Sequence, residues 1–477
     1  LNRGFIIPAG LIWVLAGLGF AGCARFRDHP LSPSQTAKNL EARKLDAPEL
    51  RRFLETNLSR SIPEWPAKAW DFDMLTLAAI YYHPSLDVAR AQWAVAEGGD
   101  KTAAQRPNPT LSAVPTYSLT PSSGPSPWTP TVDLNWPIET AGKRKYRMAQ
   151  ARYLSDAARL NIISAAWQVR SDLRKSLSDF AGARKREELL KEQLDLQDRI
   201  VRSLEQRLEA GAVASSEVGL VRIAREHVQV DWLDARRVRG EALARVADSI
   251  GVTLAALDGL NFPDTVPPVL NAEELTSANL RRLALLGRAD ILSALSEYAA
   301  SQAALQLEIA KQYPDIRLDP GYNYDQGNTK ISLGLSADLP LLNQNQGPIA
   351  EAEAHRTEAA ARFNALQAKV INEIDGAIVS YRATDQQLNE LDTLAAAQRK
   401  QTDAIAGQVK AGAADPLDLL NAQIELSVGE LARLDGRVRL EQALGAIEDA
   451  LQRPVATLQP SLVEQNPRPE AMKETHP

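Results

Sequence analysis

Two periodicities divide the chain. Ile316, Leu318, Tyr322 and Tyr324 lead into the turn DQGN; Ile331, Leu333, Leu335 and Leu339 then share one face, with Ser332, Gly334 and Ser336 on the other. A period of two around a turn predicts a β-hairpin with one apolar and one polar face. Leu111 to Leu119 and Thr131 to Trp136, where Val132, Leu134 and Trp136 alternate with Thr131, Asp133 and Asn135, predict a second hairpin. Each run is about 10 residues, the length of a membrane-spanning strand.

Beyond each hairpin the apolar spacing lengthens to three and four. Lys143 to Leu208 contains no proline and carries Leu190, Leu194, Val201, Leu204 and Leu208 among Arg, Lys and Glu. This pattern predicts one helix on the order of 100 Å long with a coiled-coil seam. Pro348 to Lys410 predicts its counterpart, with Pro348 placed to begin it. Each long helix ends at a glycine-centred turn, Gly211 or Gly412, followed by a return helix, Ser216 to Ile250 or Pro416 to Arg453. A further helix leads into each hairpin, Pro84 to Gln105 and Ala289 to Gln312, so two shorter helices end to end match one long one.

The elements recur because the sequence does. HPSLDVARAQWAVAEGGDKTAAQRPNPTL is echoed by GRADILSALSEYAASQAALQLEIAKQYPDI, LNWPIE by ADLPLL, and LEAGAVASSEV by VKAGAADPLDL. These echoes align Pro109 with Pro314, Pro137 with Pro340, Gly211 with Gly412 and Ile250 with Leu451, in the same order. The expected organisation is a leader over 1–22, a tether over 23–74, repeats over 75–270 and 271–453, and an irregular tail over 454–477. The fold class is mainly α with a small β part.

Charged residues make up 24% of the chain and aromatics 5%, a balance suited to long helices rather than an aromatic core. A formal net charge of −6 gives no electrostatic basis for binding nucleic acid. Past the leader no segment is apolar enough for a transmembrane helix, so a membrane crossing falls to strands closed into a barrel. Four strands cannot close one, since about eight is the minimum. Three copies would supply twelve, with their helices forming a hollow cylinder beneath.

Cys23, the single cysteine, follows Arg3, the apolar run Phe5 to Phe20, and the small pair Ala21-Gly22. That order is a secretory signal. With cysteine after the small pair it resembles a bacterial lipoprotein signal, departing from it at Phe20; the resemblance implies that Cys23 carries lipid and starts the mature chain. Alanine after the cysteine fits delivery to the outer membrane.

The paired repeats, Pro-flanked hairpins and AG turns resemble the outer membrane efflux protein family typified by TolC, from about Leu75 to Arg453. The resemblance implies a homotrimeric duct in the outer membrane of a Gram-negative bacterium, extending into the periplasm. It would be lipid-anchored, with no cofactor beyond that lipid, and served by a periplasmic adaptor and an inner-membrane pump of the RND type. Gly211 and Gly412 match the periplasmic tip. Glu217 and Asp418 match acidic positions after the two turns, which a threefold assembly makes into charge rings that favour cations. Read alone, they are carboxylates favoured at helix N-termini. The family's second acidic ring corresponds to Asn421, and its locking basic and aromatic residues to Ala414 and Val409, which implies a gate built differently. PIETAGKRKYR, Pro137 to Arg147, resembles the strand-to-helix passage of the heavy-metal branch; read alone, it predicts basic residues facing anionic head groups.

No enzymatic constellation is legible. His29, His83, His227, His355 and His476 are scattered, and REHVQ and EAHRTE lack the second histidine of a zinc motif. There is no phosphate loop or nucleophile elbow. Glu187 and Glu188 lie among Arg and Lys as ion-pair partners. A duct for type I protein secretion shares the whole architecture, and a structural envelope tether would use the helices without a pore.

Overall fold

The computed structural model describes residues 26–120, 127–263, 277–325 and 327–455. The leader, Cys23 and residues 456–477 of the expected tail lie outside the described residues. The chain divides into two compact units, Leu1–Arg43 and Lys44–Pro477. The first contains one described helix, α1 (Pro33–Glu41), which buries no residue.

The second unit follows the duplicated plan. Its elements are α2 (Pro48–Leu58), α3 (Phe72–Tyr82), α4 (Pro84–Ala103), β1 (Thr110–Tyr117), β2 (Trp128–Ile138), α5 (Lys143–Glu209) and α6 (Ser215–Ile250). The second half gives α7 (Ser277–Gly287), α8 (Ala289–Ala310), β3 (Ile316–Asp325), β4 (Asn328–Ala337), α9 (Gln346–Lys410) and α10 (Pro416–Leu451). At 67 residues α5 is about 100 Å long. Leu119 and Leu339 fall past the ends of β1 and β4, and α9 begins two residues before Pro348, behind Asn345 at φ 63°.

Both hairpins join one antiparallel sheet in the order β1-β2-β3-β4. The helices beneath keep the same lateral order. α4 and α6 pack on α5, α5 packs on α8 and α10, and these pack on α9. The short helices stack end to end as anticipated. Gly251, at φ 82° after α6, lies so close to the backbone of Tyr82 and His83 that a Cβ would collide with it. In the second repeat the Ala289 N–H donates to Gln452 Oε1 at 3.0 Å, and Arg288 Nη1 donates to the Ala450 carbonyl at 2.9 Å.

Two apolar cores hold these junctions. One gathers Leu75, Ala78 and Leu86 with Val169, Leu173 and Leu177 of α5 and Val246 and Ile250 of α6. The other gathers Leu280, Ile291, Val370, Ile374, Ile447 and Leu451. Part of the segment expected as a tether belongs to the first core: Leu45, Leu50, Leu54 and Trp70 are buried in it. Asn261 fixes this stretch, since its N–H donates to the Lys68 carbonyl at 2.9 Å and its carbonyl accepts from Trp70 N–H at 3.2 Å.

Candidate functional site

The strand sheet has two unlike faces. In register, Leu111, Leu134 and Leu333 fall on one side with Val132, Tyr322, Ile331, Trp136, Leu318 and Leu335. Ile331, Leu333 and Leu335 are 85%, 72% and 74% exposed, so nothing among the described residues covers them. Trp128 and Trp136 lie eight residues apart on this face of β2, a rise of roughly 27 Å, which matches the apolar band between aromatic girdles of a membrane barrel. Tyr117 packs edge-on against Trp128 at 5.0 Å. The other face is polar. Asn135 donates to Asp319 at 2.5 Å, Ser336 donates to the same carboxylate at 2.9 Å, and Asn323 donates to Thr131 at 2.7 Å. Gly321 leaves room there, because a Cβ would strike the side chains of Asp133 and Ser332. β1 and β4 are edge strands, and edges of this kind are not tolerated in lipid.

The GKRKYR cluster lies inside the junction between sheet and helices. Lys143, 8% exposed, donates from Nζ to the Tyr313 carbonyl and to Asp315 Oδ1, both at 2.7 Å. Arg144 Nε donates to the Ala104 carbonyl at 2.8 Å; Arg147 donates to the carbonyls of Ala103 at 3.0 Å and Gln105 at 2.9 Å and pairs with Glu139 at 2.6 Å. Arg144 and Arg147 thus satisfy carbonyls left open at the end of α4, as helix C-termini leave them, while Lys143 serves the segment that follows α8. The expectation that this cluster faces head groups is corrected for Lys143, Arg144 and Arg147.

At the far end the two turns share one construction. Ala212 N–H donates to the Arg207 carbonyl at 2.8 Å and Gly211 N–H to Leu208 at 2.9 Å; Ala413 and Gly412 repeat this toward Gln408 and Val409 at 2.8 and 3.0 Å. This is the Schellman arrangement, and Gly211 at φ 75° and Gly412 at φ 71° supply its left-handed residue. Glu217 is exposed in the first turn of α6, where its Oε1 accepts from the Ala214 N–H at 3.4 Å. Asp418 accepts from the Asp415 N–H at 3.3 Å. Both carboxylates thus have the helix-start geometry of the plainer reading while remaining exposed. Asp418 lines a groove between α9 and α10 with Ala414 and Asn421; Glu217 lies on the other hairpin.

The sequence reading passed over the link between the hairpins. Arg207, near the end of α5, pairs with Asp415, which caps α10 by accepting from Leu417 N–H at 2.9 Å. The Arg207 guanidinium, then that N–H, hold the Asp415 carboxyl below the usual carboxylate range, and the pairing raises Arg207. The signal available was the Asp-Pro pair after the turn, a helix-start signature.

Higher on the same α5 to α10 seam is a buried polar network. Arg170 pairs with Glu448 at 3.1 Å, Ser171 donates to Asp449 at 2.6 Å, and Ser178 donates to Glu441 at 2.6 Å. Burial lowers the Arg174 pKa, opposed by Asp449 and Glu448. Among the described residues no group of three or more His, Cys, Asp or Glu is placed to hold a metal ion, and no helix is long and apolar enough to cross a membrane.

Comparison with known proteins agrees with this architecture. The model of the outer membrane efflux protein family matches residues 78–252 and 280–452, one stretch in each repeat. The cobalt-zinc-cadmium resistance protein CzcC of Cupriavidus metallidurans is 25% identical over 386 residues, covering 77% of this chain and 87% of that protein. The outer membrane protein VceC of Vibrio cholerae superimposes with a TM-score of 0.66 at 20% identity, over 80% of this chain and 95% of its own. The outer-membrane channel OprN gives 0.66 at 19% identity, over 91% and 99%. With the family model matched across both repeats, over more than half of the chain, the chain belongs to the outer membrane efflux protein family.

Proposed function

We propose that the chain is the passive outer-membrane exit duct of a tripartite efflux system, working as a homotrimer. The observation that carries the reading is the four-stranded sheet with one lipid-compatible face and two open edges. Each copy has unlike edges, β1 above α4 and α6 on one side and β4 above α9 on the other. Unlike edges join head to tail and close into a ring when the rotation allows. Three copies give twelve strands, an even number within the range of membrane barrels. The helical columns continue the wall into the periplasm, where an adaptor and an inner-membrane pump, for which the RND type is our choice, would dock around Gly211 and Gly412 and supply direction. Catalysis has no part in this reading.

Glu217 and Asp418 would form charge rings at the tip, with Asn421, Ala414 and Val409 beside the second, and Cys23 would carry the lipid anchor. The likeness to a protein named for cobalt, zinc and cadmium resistance supports divalent metal ions as the cargo. The test is to purify the full-length protein, measure its native mass, and record currents in planar bilayers. A trimer with cation-preferring current, weakened in Glu217→Ala and Asp418→Ala, is expected. A monomer without conductance would favour the tether instead. Deleting the gene should sensitise cells to cobalt, zinc or cadmium; unchanged tolerance would remove the metal assignment.

A further inference from the structure

The two repeats pass from sheet to long helix in the same way, but the second passage carries an apolar bend that the first lacks. β2 leads into α5 through Gly142 at φ 73°, and β4 leads into α9 through Asn345 at φ 63°. These two residues are 203 positions apart, as are Pro137 and Pro340 and the helix starts Lys143 and Gln346. The same shift matches Trp136, Ile138 and Glu139 with Leu339, Leu341 and Leu342.

In the first passage Arg147 holds Glu139 at 2.6 Å while also donating to the carbonyls of Ala103 and Gln105. In the second, Leu342 takes the place of Glu139 and Ala350 that of Arg147. Without that ion pair nothing draws residue 342 toward the helices, and Leu342 is fully exposed. Just before it, the Leu341 N–H donates to the Leu339 carbonyl at 2.9 Å, a three-residue turn across Pro340 that leaves both leucines exposed. The polar end of the bend is pinned instead. Asn345 Nδ2 donates to the Glu308 carbonyl at 2.7 Å and to its carboxylate at 2.9 Å.

Leu339 and Leu341 extend the alternation of Ile331, Leu333 and Leu335, the apolar face assigned above to lipid. A neighbouring strand does not hide such positions. Trp136 and Ile138, their counterparts, already have β3 alongside and remain 53% and 47% exposed. A strand arriving beside β4 would leave Leu339 and Leu341 open in the same way.

We infer that Leu341 and Leu342 form a wedge seated among the phospholipids of the outer membrane's periplasmic leaflet, at the boundary of head groups and acyl chains. The inference rests on the membrane-embedded sheet proposed above. The bend lies beside the girdle level that Trp136 marks, where interfacial segments bury apolar side chains about 5–10 Å into the leaflet. The first passage has a charged clasp at this place and the second a lipid contact. Each copy therefore anchors on its β4 side alone, and a ring of three is held at three points.

Fluorescence quenching tests the wedge. Full-length protein carrying Leu342→Cys is labelled with bimane and reconstituted in liposomes of phosphatidylethanolamine and phosphatidylglycerol. The quenchers are phospholipid brominated along its acyl chains and, separately, iodide on both sides of the membrane. Leu333→Cys, labelled likewise, reports the sheet face itself, and wild-type protein gives the background from Cys23. Both labels should lose most of their fluorescence to brominated lipid and little to iodide. Leu341→Cys gives a second reading should Leu342→Cys fail to fold. With the Leu333 label quenched by lipid, a Leu342 label quenched by iodide would place the bend in water, and one quenched by neither would place it under protein. Either result overturns the wedge and leaves the duct intact. A Leu333 label left bright by brominated lipid would instead overturn the lipid face, and the duct with it.

Discussion

Arg207 and Asp415, 208 positions apart, form an ion pair that joins the tips of the two helical hairpins. Asp415 also caps α10, so one carboxylate fixes a helix start and a contact between repeats. The two roles separate by substitution. Asp415→Asn keeps a capping side chain and loses the charge, whereas Asp415→Ala also gives up the cap. Asn and Arg207→Ala should raise tip opening equally in single-channel records, with only Ala also lowering thermal stability. Equal melting of Asn and Ala would deny the cap.

The same pair predicts a pH dependence. Because Asp415 titrates below its ordinary range when folded, its contribution is complete above that range and is lost as pH falls through the lowered value. Channel opening in the wild type should therefore increase under strongly acid conditions. Current through Asp415→Asn should not change over that interval; an identical rise in both proteins would assign the effect to another group.

Gly211 and Gly412 are left-handed with open space around them, so alanine meets only the backbone penalty. Each Gly→Ala change should cost about 1–2 kcal/mol, seen as a lower unfolding midpoint with little change in assembly. An unaltered midpoint would mean that the turn adopts another conformation.

Glu448 is buried between Arg170 and Arg174 and also accepts from the Val455 N–H at 2.9 Å. Removing one member of a buried ionic set leaves the others uncompensated, which costs about 3–5 kcal/mol. Glu448→Ala should show that loss in denaturant unfolding. Gly445→Ala should be destabilising too, because its Cβ would collide with the Arg174 guanidinium. A wild-type midpoint in both would show the network to be open to solvent.

On the sheet, Gly321→Val should disturb the packed row of Asp133 and Ser332 while sparing the helices. The expected result is unchanged helical circular dichroism with reduced insertion into liposomes. Full insertion would imply that this row has room that the present arrangement denies it.

Much of this molecule is written locally. Lys143 marks the start of α5 and Lys410 the end of α9, because a proline-free run of three- and four-residue spacing ends at a glycine able to turn left-handed. Val132, Leu134 and Trp136 alternate with polar partners, so β2 was legible with its faces. The repeat was visible as sequence echo. The inward direction of Lys143, Arg144 and Arg147 was not, because a basic cluster has the same composition whether it meets lipid head groups or the acceptors that follow α4 and α8. Nor was Arg207 with Asp415, whose approach depends on α5 lying beside α10.

The sequence by itself determined the elements, their lengths and their duplication, since periodicity, proline and glycine act over a few neighbouring residues. Only the tertiary structure decided that both hairpins share one sheet, that Leu45 to Trp70 closes a core, and which charges are paired. Those outcomes depend on surfaces brought together from distant parts of the chain, where shape and desolvation select the partner.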